Sequence, residues 1–197
     1  MEYSISTGFT PDERATVAAL YWQAFGFKLG RVLGPEEKAL AFLCDVLDPE
    51  FALVARDTEG QLLGIAGFKT SKGALVGGEY DDLRKIFGAW GGLWRGLILS
   101  VIERDLAPDI FLMDGICVKS EARGLGVGSA LLEAIKQKAM ELEKTGVRLD
   151  VIDSNPRARA LYVRQGFEPQ KTEQTGPFRY IFRFESATQM IWRCPAS

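Results

Sequence analysis

The 197-residue chain contains no histidine. This excludes every His-based triad, dyad and metal site, leaving carboxylates, tyrosine, cysteine, lysine or water for proton chemistry. Cysteine is scarce. Cys44, Cys117 and Cys194 are odd in number and far apart, which gives neither a disulfide framework nor a zinc pattern. They read as free thiols in a reducing cytoplasm. No apolar run approaches the roughly 18 residues of a membrane span. Met1-Glu2-Tyr3-Ser4 is not a basic region leading into an apolar one, so neither a transmembrane helix nor a signal peptide is expected. Neither sign dominates: a net charge of −2 with no basic block argues against nucleic acid or an anionic membrane as the main partner.

The apolar and charged shares, 47% and 25%, are those of a globular protein, and the length suits one domain over residues 1–197. Tyr3 to Thr7 predicts a first strand. Thr10 before Pro11, Asp12 and Glu13 is a helix start, with a hydroxyl cap, proline in the first turn and acids at the positive end. Val17, Leu20, Tyr21, Ala24 and Phe25 share one helical face, which should end near Gly26. Pro35-Glu36-Glu37 opens a second helix, with Leu40, Leu43, Val46 and Leu47 on its buried side and Phe42 at the edge. Phe51 to Arg56 and Leu62 to Thr70 predict an antiparallel hairpin turning at Asp57–Gly60.

The stretch with most information is Ile110 to Phe167. Ile110 to Val118 is an apolar strand whose only charge is Asp114. Arg123-Gly124-Leu125-Gly126-Val127-Gly128-Ser129 is a glycine-rich turn, and a helical period runs from Ser129 to about Lys144. A helix start offers unpaired N–H groups and a positive dipole end to a phosphate. The glycines let it approach and permit φ > 0. Arg123 adds a cation. A P-loop would need Gly-Lys-Ser/Thr at the end of the turn, where Gly128 is followed by Ser129 and Ala130. A dinucleotide fingerprint counted from Gly124 meets Ser129 where its third glycine belongs. Both nucleotide readings are disfavoured. Val147 to Asp153 then alternates as a strand, and Asn155-Pro156 opens a helix with Ala158, Leu161 and Tyr162, closed by Gly166-Phe167.

Arg123-x-x-Gly126-x-Gly128 resembles the acyl-CoA pyrophosphate motif of the GNAT superfamily of N-acetyltransferases. Asn155-x-x-Ala158-x-x-Leu161-Tyr162-x-x-x-Gly166-Phe167 resembles its second signature, so the likeness is specific from Phe111 to Pro169. The resemblance implies an α/β (α+β) fold: a mixed, mostly antiparallel twisted sheet of about six to seven strands, flanked by helices around a β-α-β acyl-CoA core. It implies acetyl-CoA as co-substrate, no metal, a primary amine on a small molecule or peptide as acceptor, and direct attack through a tetrahedral intermediate. Arg123 to Ser129 would hold the pyrophosphate, and Asn155 and Ala158 would border pantetheine. Ile116, Cys117 and Val118 would offer backbone groups, with an N–H near Cys117–Val118 at the thioester carbonyl. Cys117 itself reads as packing rather than as a nucleophile. Tyr162 is the expected general acid. Asn155 could equally be a plain helix cap.

The base is open. Asp114 shares a strand face with Ile116 and Val118 unless a bulge reverses the parity. Glu79, Asp81, Asp82, Asp153 and a water chain are alternatives. Residues 71–109 depart from the family pattern. Leu83, Ile86, Phe87, Trp90, Leu93, Trp94, Leu97, Ile98, Val101 and Ile102 recur at helical spacing, interrupted by glycines, as one helix or as two broken near Gly91-Gly92. This stripe reads as local core, as a lid over the acceptor site, or as a self-association surface making a homodimer. Glu79-Tyr80-Asp81-Asp82 reads as a solvated helix start or as a cluster greeting a cationic amine. Phe178 to Glu185 predicts a half-buried strand, and Gln189 to Arg193 the last one. A non-catalytic acyl-CoA sensor of the same fold is the alternative function.

Overall fold

The computed structural model describes residues 2–101 and 105–195. One sheet runs through them in the order β1 (Tyr3–Thr7), β2 (Ala52–Asp57), β3 (Leu62–Thr70), β5 (Ile110–Val118), β6 (Gly146–Ile152), β8 (Ser186–Arg193) and β7 (Glu168–Gln174). A two-residue strand, β4 (Gly73–Ala74), pairs with the end of β3, making eight strands where about six to seven were expected. All pairings are antiparallel except β5 with β6. Two glycines show how helices cover both faces. A Cβ on Gly64 would meet Leu131 of α4 (Val127–Glu141), whereas one on Gly67 would meet Leu75. Three residues apart, they point to opposite faces. Gly67 pairs with Gly115, whose Cβ would strike Phe25 of α1 (Arg14–Leu33). Hence α4 covers one face and α1 the other. β3, between them, buries its first seven residues without alternation.

Several elements depart from expectation. α1 continues past Gly26 to Leu33, because the Trp22 ring lies over Gly26 and Leu29, Val32 and Leu33 extend the buried face. In α2 (Glu36–Val46), Phe42 is 3% exposed and in the core rather than at its edge. α4 begins at Val127 and ends at Glu141, inside the expected Ser129–Lys144 limits at one end and beyond them at the other. The helix after β6, α5, spans Pro156–Arg164.

The run from Phe178 to Glu185 is not a strand. It forms a 3₁₀ turn at Gly176–Phe178 and a short helix, α6 (Arg179–Phe182), ended by Arg183 at φ 60°. Phe178, Tyr180, Phe182 and Phe184 alternate in sequence, but Phe178 and Phe182 also meet as an i,i+4 pair, 6.5 Å between ring centroids. Packing on α1 selects the helical option: Arg31 donates to the Tyr180 carbonyl, and the Arg183 guanidinium lies over the Phe27 ring. The outer sheet partner of β8, opposite β6, is instead β7, exposed along its whole length and therefore without an apolar period.

The 71–109 stretch forms α3 (Tyr80–Ser100), broken at Gly88 (φ 75°, ψ 170°) rather than at Gly91-Gly92. Its two arms fold against each other. A Cβ on Gly92 would lie 2.9 Å from the Arg84 nitrogen, and the Tyr80 hydroxyl donates to the Ala89 carbonyl. The pair docks through Arg95 Nε on the Val32 carbonyl, 2.7 Å, and Phe87 on Phe42. Among the described residues of the apolar stripe only Leu83 is buried, whereas Trp90 is 84% exposed. Ile86 and Phe87 are partly buried and pack against the core beside Leu83. Ile102 lies outside the described residues.

Candidate active site

β5 and β6 pair only at Ile110–Gly146, Phe111–Val147 and Leu112–Arg148. Beyond these the two strands part. The edge left open on β5 follows from alternation: Lys119 N–H donates to the Leu63 carbonyl, so its backbone faces β3. The groups of Cys117 and Gly115 face β3 as well, and those of Ile116 and Val118 face the gap. An N–H for the gap therefore comes from Ile116 or Val118, not from Cys117. The Val118 carbonyl is partly engaged, accepting from Arg123 Nε at 3.1 Å. Cys117 is 3% exposed, and burial pushes its thiol well above the ordinary thiol range. A buried neutral thiol is no nucleophile.

At the mouth of the gap stands the glycine turn. Gly124 (φ 79°) and Gly126 (φ 86°) adopt left-handed backbone, and Gly126 caps α4 with no side chain bonded to its first N–H groups. Ala130 N–H already bonds the Gly126 carbonyl, so the donors at Val127, Gly128 and Ser129 are the ones aimed outward. Val127 can act only through its backbone, its side chain being wholly buried. Leu125 and Arg123 are exposed, and Gly128 packs on Leu161 of α5. The Tyr3 hydroxyl stands 3.2 Å from where a Gly126 Cβ would be, a contact between strand and turn that no local sequence signal announces. A polarised helix start with bare glycines fits a pyrophosphate.

The gap itself is a cleft of about 130 Å³. Met113 to Ile116 and Leu149 to Ile152 form its walls, and Asn155, Ala158 and Tyr162 close it. Asn155 is a helix cap: its carboxamide oxygen accepts from Ala158 N–H at 3.1 Å, which leaves its NH₂ to face a ligand. Tyr162 is 6% exposed and packs on Phe167, with 6.1 Å between ring centroids.

A second cavity, about 780 Å³, lies between α1, α2, α3 and the ends of β3 and β5. Two side chains line both spaces, Asp114 and Lys28. Asp114 is the extra residue of a β-bulge, since Gly115 pairs with Gly67 and Met113 with Phe68. The bulge interrupts the simple alternation that would put Asp114 on the face of Ile116 and Val118, and turns it towards the junction of the two spaces. The other carboxylates are placed differently. Glu79 lines the large cavity. Asp82 accepts from Glu79 N–H and from Lys85, contacts that hold its carboxyl below the usual range, and Asp81 pairs with Arg84. Asp153 accepts from Ser154 and Glu185 N–H. Asp81, Asp82 and Asp153 line neither cavity, and neither do Trp90 and Trp94. Lys28, Lys69 and Tyr21 do line the large cavity, unforeseen from sequence. A signal existed for Lys28, the first charge after Arg14 along α1 and seven residues beyond the buried Tyr21.

Among the described residues no helix is long and apolar enough to cross a membrane, and no three His, Cys, Asp or Glu groups gather as a metal site would require. The acetyltransferase (GNAT) family model matches residues 15–167. Thialysine N-epsilon-acetyltransferase from Bos taurus is 39% identical over 77 residues, 39% of this chain and 43% of that protein, so the match spans less than half of the relative. An N-acetyltransferase from Staphylococcus aureus Mu50 superposes with TM-score 0.67 at 17% identity, over 96% of this chain and all of that one. A Bacillus anthracis str. Ames acetyltransferase in complex with acetyl coenzyme A superposes with TM-score 0.50 at 17% identity, over 73% of this chain and 62% of that one.

Proposed function

The chain belongs to the GNAT acetyltransferase family, and from that premise we propose that it moves an acetyl group from acetyl-CoA to a primary amine. The observation that carries the reading is the junction at Asp114, where a cleft ending at Tyr162 meets a cavity large enough for an acceptor. Acetyl-CoA, bound by a fold neighbour, supplies the thioester. The N–H groups of Val127, Gly128 and Ser129 hold its pyrophosphate, with the outer nitrogens of Arg123 alongside. The Val118 N–H faces the gap, where a preorganised donor stabilises developing negative charge, a contribution of about 2.7–4 kcal/mol in comparable sites. Asp114, at the junction, takes the proton the attacking amine must lose, directly or through a water. Tyr162 donates its phenol proton to the leaving thiolate, then regains one from solvent.

The test is thiol release by the whole chain with a panel of amines, beside Tyr162→Phe. The variant should lose about 10²–10⁴-fold in kcat with acetyl-CoA affinity held. A kcat within about threefold of wild type would assign Tyr162 to its packing on Phe167. Acetyl-CoA binding without thiol release from any amine would instead support the sensor reading.

A further inference from the structure

The large cavity carries information about the acceptor beyond its being an amine. Three of its lining side chains come from three elements: Asp114 on the bulge of β5, Lys28 on α1 and Lys69 on β3. Lys69 pairs with Leu112, one strand over and two residues from Asp114. Lys28 is brought there by a specific contact. Gly115 has no Cβ, so the Phe25 ring lies directly on the strand, where a Cβ would come within 2.6 Å of Cζ. The Lys28 ammonium lies over that same ring, 4.6 Å from its centroid. The walls also carry Leu33, Phe42, Leu83 and Leu97. Leu97 is 71% exposed, so the insertion supplies an apolar rim rather than a sealed core.

Lys28 and Lys69 line the cavity together with Asp114 and a further carboxylate, Glu79, two charges of each sign that suit a molecule carrying both better than a bare ammonium ion at Asp114. The carboxylate that attracts it stands beside two cations that repel it, and a polycation would meet that repulsion several times over. An acceptor with its own anion a few bonds from its amine reverses the balance: the anion lies among the lysines and the amine faces Asp114. Resting on the transferase reading above, we propose that the acceptor is a small zwitterion, an amine next to a carboxylate on an apolar body. Lys28 and Lys69 determine that specificity. The apolar body extends towards Phe42, Leu83 and Leu97.

Three matched probes test this: L-phenylalanine, its amide, and phenethylamine, which lacks the carboxylate altogether. With acetyl-CoA and the whole chain, kcat/KM for L-phenylalanine should exceed that for each of the other two by about tenfold or more. In Lys69→Gln and Lys28→Gln that ratio should fall towards one, and Lys69→Arg should retain part of it. Calorimetry of L-phenylalanine against phenethylamine on the CoA-loaded protein gives the same comparison without turnover. If phenethylamine or the amide is acetylated as well as the amino acid, the zwitterion proposal is overturned and the transferase reading stands. If the ratio survives both glutamine variants, the lysines are not its source and the proposal fails in that form. If acetyl-CoA binds but no amine releases thiol, both readings fall together.

Discussion

A Cβ placed on Gly124, in the turn at 123–129, has nothing within 4 Å, whereas one placed on Gly92 of α3 would lie 2.9 Å from the Arg84 nitrogen and 3.0 Å from its Cα. Both stretches are glycine-rich and adjoin an apolar helix, and in sequence they look alike. In the turn, glycine keeps space open in front of unpaired N–H groups and adopts the left-handed backbone that aims them. In α3, glycine lets one helical arm rest on the backbone of the other, with Gly88 supplying the reversal. At these two positions, Gly124 in the turn faces open space and Gly92 in α3 faces its own chain. The distinction is tertiary.

Substitution should separate the two uses. Gly126→Val acts on the turn with the largest expected effect. A β-branched residue cannot hold φ 86° without strain, so the N–H groups lose their aim. Losing charge-assisted bonds to phosphate should raise the Kd for acetyl-CoA by about 100-fold, read by calorimetry on the folded variant. Unchanged affinity would remove the turn from the site. Gly92→Val should do the reverse, destabilising the protein by about 1–3 kcal/mol in denaturant while CoA affinity holds. An undiminished midpoint would show that the two arms are not in close contact.

A site in neither stretch calibrates these losses. Glu13 accepts from Arg56 Nε at 2.8 Å and from Nη2 at 2.6 Å, and also from Thr10 N–H. These contacts, the Arg56 bonds foremost, hold its carboxyl down to about 2 against the opposing effect of burial. A carboxyl depressed in the folded state adds stability that is complete above its ordinary pKa of 4.5 and is lost as pH falls towards 2. Glu13→Gln should therefore cost about 1.5 kcal/mol at neutral pH. The difference from wild type should shrink between pH 4.5 and 2, followed by denaturant titration across that range. A difference that stays constant with pH would mean the pair acts through packing. Gly124→Ala is the smallest: no neighbour to strike, only the left-handed backbone to hold, so about 1 kcal/mol or less of stability. A larger loss would mean the turn is packed and not open.

The sequence made the β-α-β unit legible because its signals are local. Strand alternation, a helix cap at Asn155 and glycines at 124, 126 and 128 each lie within a few residues of what they determine. The hairpin of β2 and β3 and the capped start at Thr10 were readable for the same reason. The strand expected at 178–185 failed because its aromatics satisfy two periods at once. β7 was missed because an exposed edge strand has no period to detect.

The sequence by itself determined the family, the strand–turn–helix that offers a candidate anion site, and the candidates Asp114 and Tyr162. Tertiary structure decided which of those candidates share a space. The bulge that turns Asp114 into the junction arises from register with β3, a strand more than forty residues earlier in the chain. Lys28 joins Asp114 only because Phe25 can lie on a bare Gly115, and Lys69 only because β3 and β5 are neighbours. Contacts between residues far apart in the chain leave no periodic trace in either partner's own segment. The acidic pair Asp81 and Asp82 lies off both cavities by the same kind of fact, the way α3 folds back on itself and docks.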